Sequence, residues 1–149
     1  MAAKPIPEGF HTVTSCLNVR GADKLIDFMK QAFDAVEVFR MPRPDGMIGH
    51  AQVRIGDSFV MLGEASGECP PMPGTLYLYV NDVDTTYKRA LQAGATSQME
   101  PVNQFWGDRH ANVKDLCGNH WGIATHQDDV SPEELAKRAE AFWKQQARG

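Results

Sequence analysis

Cysteine is scarce in this chain: Cys16, Cys69 and Cys117 are all it has, widely spaced and without a CxxC pair. An odd number at such spacing argues against a disulfide framework and against a zinc ribbon, and points to reduced thiols in a cytoplasmic protein. Positive charge is also thin. Fifteen Lys and Arg stand against nineteen Asp and Glu, a net charge of −4, with no basic cluster of any length. Neither nucleic acid nor an anionic membrane surface is therefore expected as a partner. Long apolar runs are missing as well. Nothing reaches the length of a membrane span, and the opening MAAKPIPEGF has no apolar signal core.

What is present suits one soluble domain. Hydrophobic residues make up 42% of 149 positions, enough to bury a core without covalent staples. Within that length five residues are written twice: His50–Arg54 reads HAQVR and His110–Lys114 reads HANVK. Three positions are identical and two are close substitutions. Around them the same order of patterns recurs. FHTVTSCLNV (10–19) reads as a strand, and Gly21 ends it. Leu25, Ile26, Phe28, Met29, Ala32 and Phe33 then recur at helical steps. VEVFRM (36–41) is a short strand, and two strand-like runs flank Gly56-Asp57 as a two-residue hairpin loop. After the Pro- and Gly-rich linker 65–74, TLYLYV (75–80) is a strand and VDTTYKRALQAGA a helix with Gly94 at its end. RHANVK and HWGIATH form the closing pair.

The order β-α-β-β-β thus occurs twice, and two copies at a period of about sixty residues indicate duplication within one domain. The expected boundaries are module 1 over about 8–64, linker 65–74, module 2 over about 75–128, and an added helix over about 131–147. Ser131 is its N-cap, with Pro132 at N1. Its apolar stripe of Leu135, Ala139, Phe142 and Trp143 suits docking on the domain or on a second subunit.

Strand parity sorts the side chains. With Gly56-Asp57 as the loop, Ile55 pairs with Ser58, Arg54 with Phe59, Val53 with Val60 and Gln52 with Met61. One face then holds Ala51, Val53, Ile55, Val60 and Leu62, suited to packing on helices. The other holds His50, Gln52, Arg54, Phe59, Met61 and Gly63, a mixed face that suits a cleft. By the repeat, His110, Asn112 and Lys114 lie on the equivalent face of module 2, joined by Tyr77, Tyr79 and His120.

Two βαβββ modules, the helix VRGADKLIDFMKQAF, the FWGDR stretch and the D-x-x-G-N-H-W run before the last strand together resemble the vicinal-oxygen-chelate superfamily, within it the PhnB-like glyoxalase/bleomycin-resistance group. The resemblance spans roughly residues 8–128. It implies an α+β fold in which two modules form a curved mixed-sheet cup with helices on the convex face, here with a C-terminal helix added. Metal-dependent relatives put one ligand on the first and one on the last strand of each module. Those positions fall here at Thr14, Met61, Thr75 and Gly122. A hydroxyl, a thioether and a glycine make no site for a hard cation or zinc. The expectation is no cofactor and no metal.

The reading that follows is a cytoplasmic protein, homodimeric like many relatives, that binds a small amphipathic or aromatic molecule in a metal-free cup. The expected contacts are His50, Gln52, Phe59, Met61, Tyr77, Tyr79, Trp106, Arg109, His110, Asn112 and His120. Tyr77 and Tyr79 would stack a planar ligand, or else serve as sheet residues; Trp106 and Arg109 would clamp the rim, or else seal the core. The alternative is an enzyme, a lyase, isomerase or hydrolase, with His50 or His110 as acid/base. In that class His50, His110 and His120 could also hold a non-standard divalent metal. Cys16 shares the inward parity, but nothing local to it activates a thiol.

Overall fold

The computed structural model describes residues 2–149. Its elements run β1 (Ser15–Val19), α1 (Ala22–Phe33), β2 (Val36–Pro42), β3 (Ile48–Ile55), β4 (Ser58–Glu64), β5 (Thr75–Tyr79), α2 (Val83–Gln92), β6 (Thr96–Asn103), β7 (Asp108–Lys114), β8 (His120–His126) and α3 (Pro132–Ala147). The strands form two four-stranded mixed sheets, ordered β1-β4-β3-β2 and β5-β8-β7-β6. In each, the first strand runs parallel to the last and the other pairs are antiparallel. This is the doubled βαβββ unit, with the same topology in both halves and the added C-terminal helix.

The β3–β4 pairing follows the parity argument pair by pair: Ile55↔Ser58, Arg54↔Phe59, Val53↔Val60 and Gln52↔Met61. Ala51, Val53, Val60 and Leu62 are buried on the helix side, and Ile55 packs against the same cluster. Both modules feed one apolar core. It joins Leu25, Ile26 and Met29 of α1 to Val83 and Ala90 of α2 and to Val113, Trp121 and Ile123 of the second sheet. Trp121, fully buried, lies 4.9 Å from Phe33 and 6.4 Å from Phe28 between ring centroids, so an indole of module 2 packs on the helix of module 1.

The first strand is shorter than the β-branched run 10–19 suggests. Pairing of β1 with β4 starts at Ser15↔Val60, so upstream residues have no strand beside them. Residues 2–14 instead form a strap, and Phe10 stacks on Phe59 with centroids 4.3 Å apart and planes within 10°.

The starts of α1 and α2 are capped from the ends of their sheets. The Glu64 carboxylate closes β4 and accepts from the backbone N–H groups of Gly21 and Ala22 at 3.0–3.1 Å. In module 2 the residue after the Tyr79↔Ala124 pair, Thr125, accepts from Val83 N–H at 2.9 Å, while Asp82 accepts from Thr85 N–H. The two caps occupy equivalent places and use different chemistry. Ser131 caps α3 by accepting from Glu134 N–H. Among the described residues no helix is long and apolar enough to cross a membrane.

Candidate functional site

Alternation along β5, β7 and β8 sends Tyr77, Tyr79, Asp108, His110, Asn112, His120, Gly122 and His126 to the face opposite the helices. Asp108 organises that face. It is 2% exposed and holds four donors. Its Oδ2 accepts from Tyr77 Oη at 2.8 Å, Trp106 Nε1 at 3.0 Å and Tyr79 Oη at 3.1 Å. Its Oδ1 accepts from His126 Nδ1 at 2.8 Å. Burial pushes the Asp108 carboxyl up, but the bonds from His126 and the three aromatic donors outweigh it and leave the carboxyl below its usual range. The same contacts raise the phenols: Tyr77 through burial and then its bond to Asp108, Tyr79 chiefly through that bond. One carboxylate therefore fixes three aromatic side chains on one surface.

His126 is held from both sides. Its Nε2 donates to Asp129 Oδ1 at 2.8 Å, and these two carboxylate contacts raise its pKa. Both ring nitrogens lie within hydrogen-bond reach of a carboxylate, an arrangement that favours the protonated ring. A carboxylate–histidine pair is therefore present at the edge of this face.

His110 differs. It is 92% buried (8% exposed), with Tyr77 4.9 Å and Trp106 6.0 Å away between ring centroids. Its Nε2 lies 3.0 Å from Asn112 Oδ1 and donates to that oxygen, the arrangement in which a neutral ring carries its acceptor at Nδ1. That Nδ1 is buried and has no hydrogen-bond partner among the described residues. A buried acceptor left unmade costs about 1–3 kcal/mol, so an imidazole fixed this way suits a partner that donates to it. Room for the ring comes from Gly122, where a Cβ would sit 2.7 Å from Tyr77 Cδ2 and 3.1 Å from His110 Nε2.

On the first sheet, Gln52, Phe59 and Met61 lie under the N-terminal strap, and Gln52 Nε2 donates to His50 Nε2 at 3.3 Å. A cleft of about 1220 Å3 runs along the free edge of β5. Its lining includes Arg54 and Phe59 of module 1 and Tyr77 and Tyr79 of module 2.

Two expected members sit elsewhere. Arg109 alternates to the helix side of β7, where Asp84 of α2 holds its guanidinium with bonds of 2.8 and 2.9 Å; it is no rim clamp. His120 turns to Gln98, its Nδ1 2.6 Å from Oε1. It pairs with Lys114, four residues beyond His110 on β7, so the histidines are separate side chains. Among the described residues no three His, Cys, Asp or Glu side chains are grouped as ligands of one ion.

The observed register differs from the one expected at the family's metal positions. Thr14 precedes β1, Thr75 pairs with His120, and the residues beside Met61 and Gly122 are Cys16 and Tyr77. Met61 and Gly122 offer no carboxylate, imidazole or thiolate, the donors such a site is built from. Asp108 and His126 were not among the residues expected from sequence. Extending the alternation His110-Asn112 back by two places puts Asp108 on the same face, which was the available signal.

Comparisons with known proteins bear on the fold. An uncharacterised protein of Mycobacterium bovis is 39% identical over 133 residues, covering 80% of this chain and 86% of the relative. TnmS3, an antibiotic binding protein from Streptomyces sp. CB03234, superposes with a TM-score of 0.64 at 25% identity, covering 85% of this chain and 99% of its own. A member of the same superfamily from Sphaerobacter thermophilus gives a TM-score of 0.64 at 21% identity over 77% of this chain and 96% of its own, a likeness of fold. The family model matches residues 9–123, and with the doubled βαβββ topology this places the chain in the Glyoxalase/Bleomycin resistance protein/Dioxygenase superfamily.

Proposed function

We propose that this protein binds a small planar organic molecule on the aromatic face of its second module, without a metal ion. The observation that carries the reading is His110 Nδ1, a buried nitrogen of a ring close to those of Tyr77 and Trp106, with no hydrogen-bond partner among the described residues. Asp108 fixes the Tyr77, Tyr79 and Trp106 rings in advance, which reduces the ordering cost of binding. The complementary ligand is an aromatic ring that carries a hydrogen-bond donor, a hydroxyl or an N–H. Its likeness to an antibiotic binding protein supports a sequestering role over turnover.

We extend the reading to a cytoplasmic homodimer of the PhnB-like group. Three free cysteines support the compartment, and the exposed Phe142 and Trp143 on α3 support a second subunit. Light scattering at twice the chain mass is the expected result.

Calorimetry on protein dialysed against EDTA tests the ligand class. 2-Naphthol should bind saturably and 2-methoxynaphthalene, which lacks the donor, more weakly. Removing the acceptor in His110→Ala should cost 2-naphthol about 1 kcal/mol and erase the preference between the two. Equal affinities in the wild type, or no binding, would overturn the reading.

A further inference from the structure

We propose that the outer face of α3 docks on the same face of a second copy of the chain, the two helices antiparallel; this rests on the homodimer reading above and supplies its surface.

α3 follows both modules, and none of its residues is buried. One side of it lies on its own domain. On that side Leu135 and Ala139 are half-buried, the Phe142 ring is 5.1 Å from that of Phe105 between centroids, and Arg138 donates from Nη1 to the Phe105 carbonyl at 3.2 Å. A helix of 16 residues held so lightly is marginal in water. Beside the docked side runs a second apolar stripe. Pro132, Ala136, Trp143 and Ala147 recur at helical spacing, and all four are exposed, Trp143 at 64%. Small side chains around one large flat ring let a second helix come close, with the indole lying across it.

The charges along the rim of this stripe decide what fits it. Glu133, Lys137, Glu140 and Lys144 form a row next to it, acid, base, acid, base. Read from the other end, the row is base, acid, base, acid. Two copies laid antiparallel about a two-fold axis near Ala139 therefore set Glu133 opposite Lys144 of the second copy and Lys137 opposite its Glu140, each pair repeated by the symmetry. The same axis places each Trp143 over Ala136 of the other copy. Parallel pairing would put like charge on like charge along the whole row. Within one chain Lys144 already meets Glu140 at 2.8 Å, but both side chains are about two-thirds exposed, so each keeps donors or acceptors for a second partner. Alternating signs also set this face apart from a membrane-surface helix, whose polar side is rich in Lys and Arg.

A helix of this length spans about 24 Å, so the contact falls at the small end of specific interfaces and the dimer should dissociate on dilution. Analytical ultracentrifugation of the full chain over a dilution series tests this. The wild type should pass from dimer to monomer through the micromolar range. Trp143→Ala should weaken the dimer at least tenfold. Glu133→Lys with Glu140→Lys leaves a row of one sign and should give a monomer at every concentration. Adding Lys137→Glu and Lys144→Glu restores the alternation in reverse order and should restore the dimer. A dimer unmoved by the two lysine substitutions overturns the proposal and leaves the homodimer to another face. Failure of the four-substitution variant to reassemble overturns it as well. A wild type that is monomeric throughout overturns both the proposal and the homodimer reading.

Discussion

Asp108 carries more of this surface than any other side chain. An aspartate is the right size and charge for the job, since two oxygens meet four donors and all four favour the ionised form. An asparagine can accept at one end only, so its NH2 must face either the His126 N–H or the three aromatic donors. Asp108→Asn should therefore lose about 2–4 kcal/mol in chemical denaturation, with the far-ultraviolet spectrum retained. The charge pair also sets a pH dependence. His126 has a raised pKa in the folded chain, so its stabilisation is fully present below about 6.5, the unfolded value, and fades as pH rises through the folded one. Asp108 works in the opposite direction. Its carboxyl is lowered, so its contribution is present above about 3.9 and is lost as pH falls through the folded value. Proton NMR of the His126 ring should give a titration midpoint above 6.5 that drops in Asp108→Asn; an unmoved midpoint would show the pair to be unimportant. Cys117 is the opposite case of a group switched off. Burial, followed by the nearby Asp115 and Glu64 carboxylates, pushes its thiol up to about 11, so it stays protonated at neutral pH.

At the level of elements, the duplication shows how one topology tolerates different local chemistry. α1 begins without a capping side chain of its own, because Gly21 fills the N-cap place. Its free N–H groups are met by Glu64, 43 residues away in sequence, with the negative charge placed where the helix dipole favours it. Glu64→Gln keeps one acceptor and should cost less than Glu64→Ala, for which about 1–2 kcal/mol is expected by thermal denaturation. In module 2 the local Asp82 shares the task, so Thr125→Val should cost less than Glu64→Ala. Such a cap cannot be read from a helix's own sequence, which explains why it was not expected. The two-residue hairpin and its register, by contrast, were legible pair by pair, because Gly56-Asp57 fixes the turn and the buried face fixes the parity. The first strand was overestimated for a tertiary reason. Residues 10–14 have strand-like composition, but β4 gives them no partner, and the ring of Phe59 draws Phe10 into the strap.

Over the whole molecule, two modules share a single core and a seam. Trp121 of β8 packs on Phe28 and Phe33 of α1, and Arg89 of α2 reaches Asp34 and the Gln31 carbonyl at the end of α1. The exposed ion pair contributes little, being screened by solvent, whereas Trp121→Ala empties a fully buried site. A loss of about 3–5 kcal/mol is expected in denaturant, with one transition for both modules because the core is continuous. Two separate transitions would contradict the shared core. The fold was readable from HAQVR and HANVK because a repeat reports topology directly. The site was half readable. Parity placed His110, Asn112, Tyr77 and Tyr79 on one face correctly, yet it could not show that Asp108 joins them or that Arg109 turns away to Asp84. Those outcomes depend on where a strand starts and on which charged helix residue stands behind it.

The central claim is that His110 Nδ1 receives a hydrogen bond from an organic ligand with no metal involved. Nitrogen NMR of the His110 ring, recorded in EDTA during a 2-naphthol titration, tests it most directly. The account predicts an Nδ1 resonance that starts at the value of an unprotonated, unbonded nitrogen and moves saturably to that of a hydrogen-bonded acceptor, with Nε2 remaining protonated. An Nδ1 signal that does not move while 2-naphthol binds, or binding that returns only when a divalent ion is restored, would contradict it.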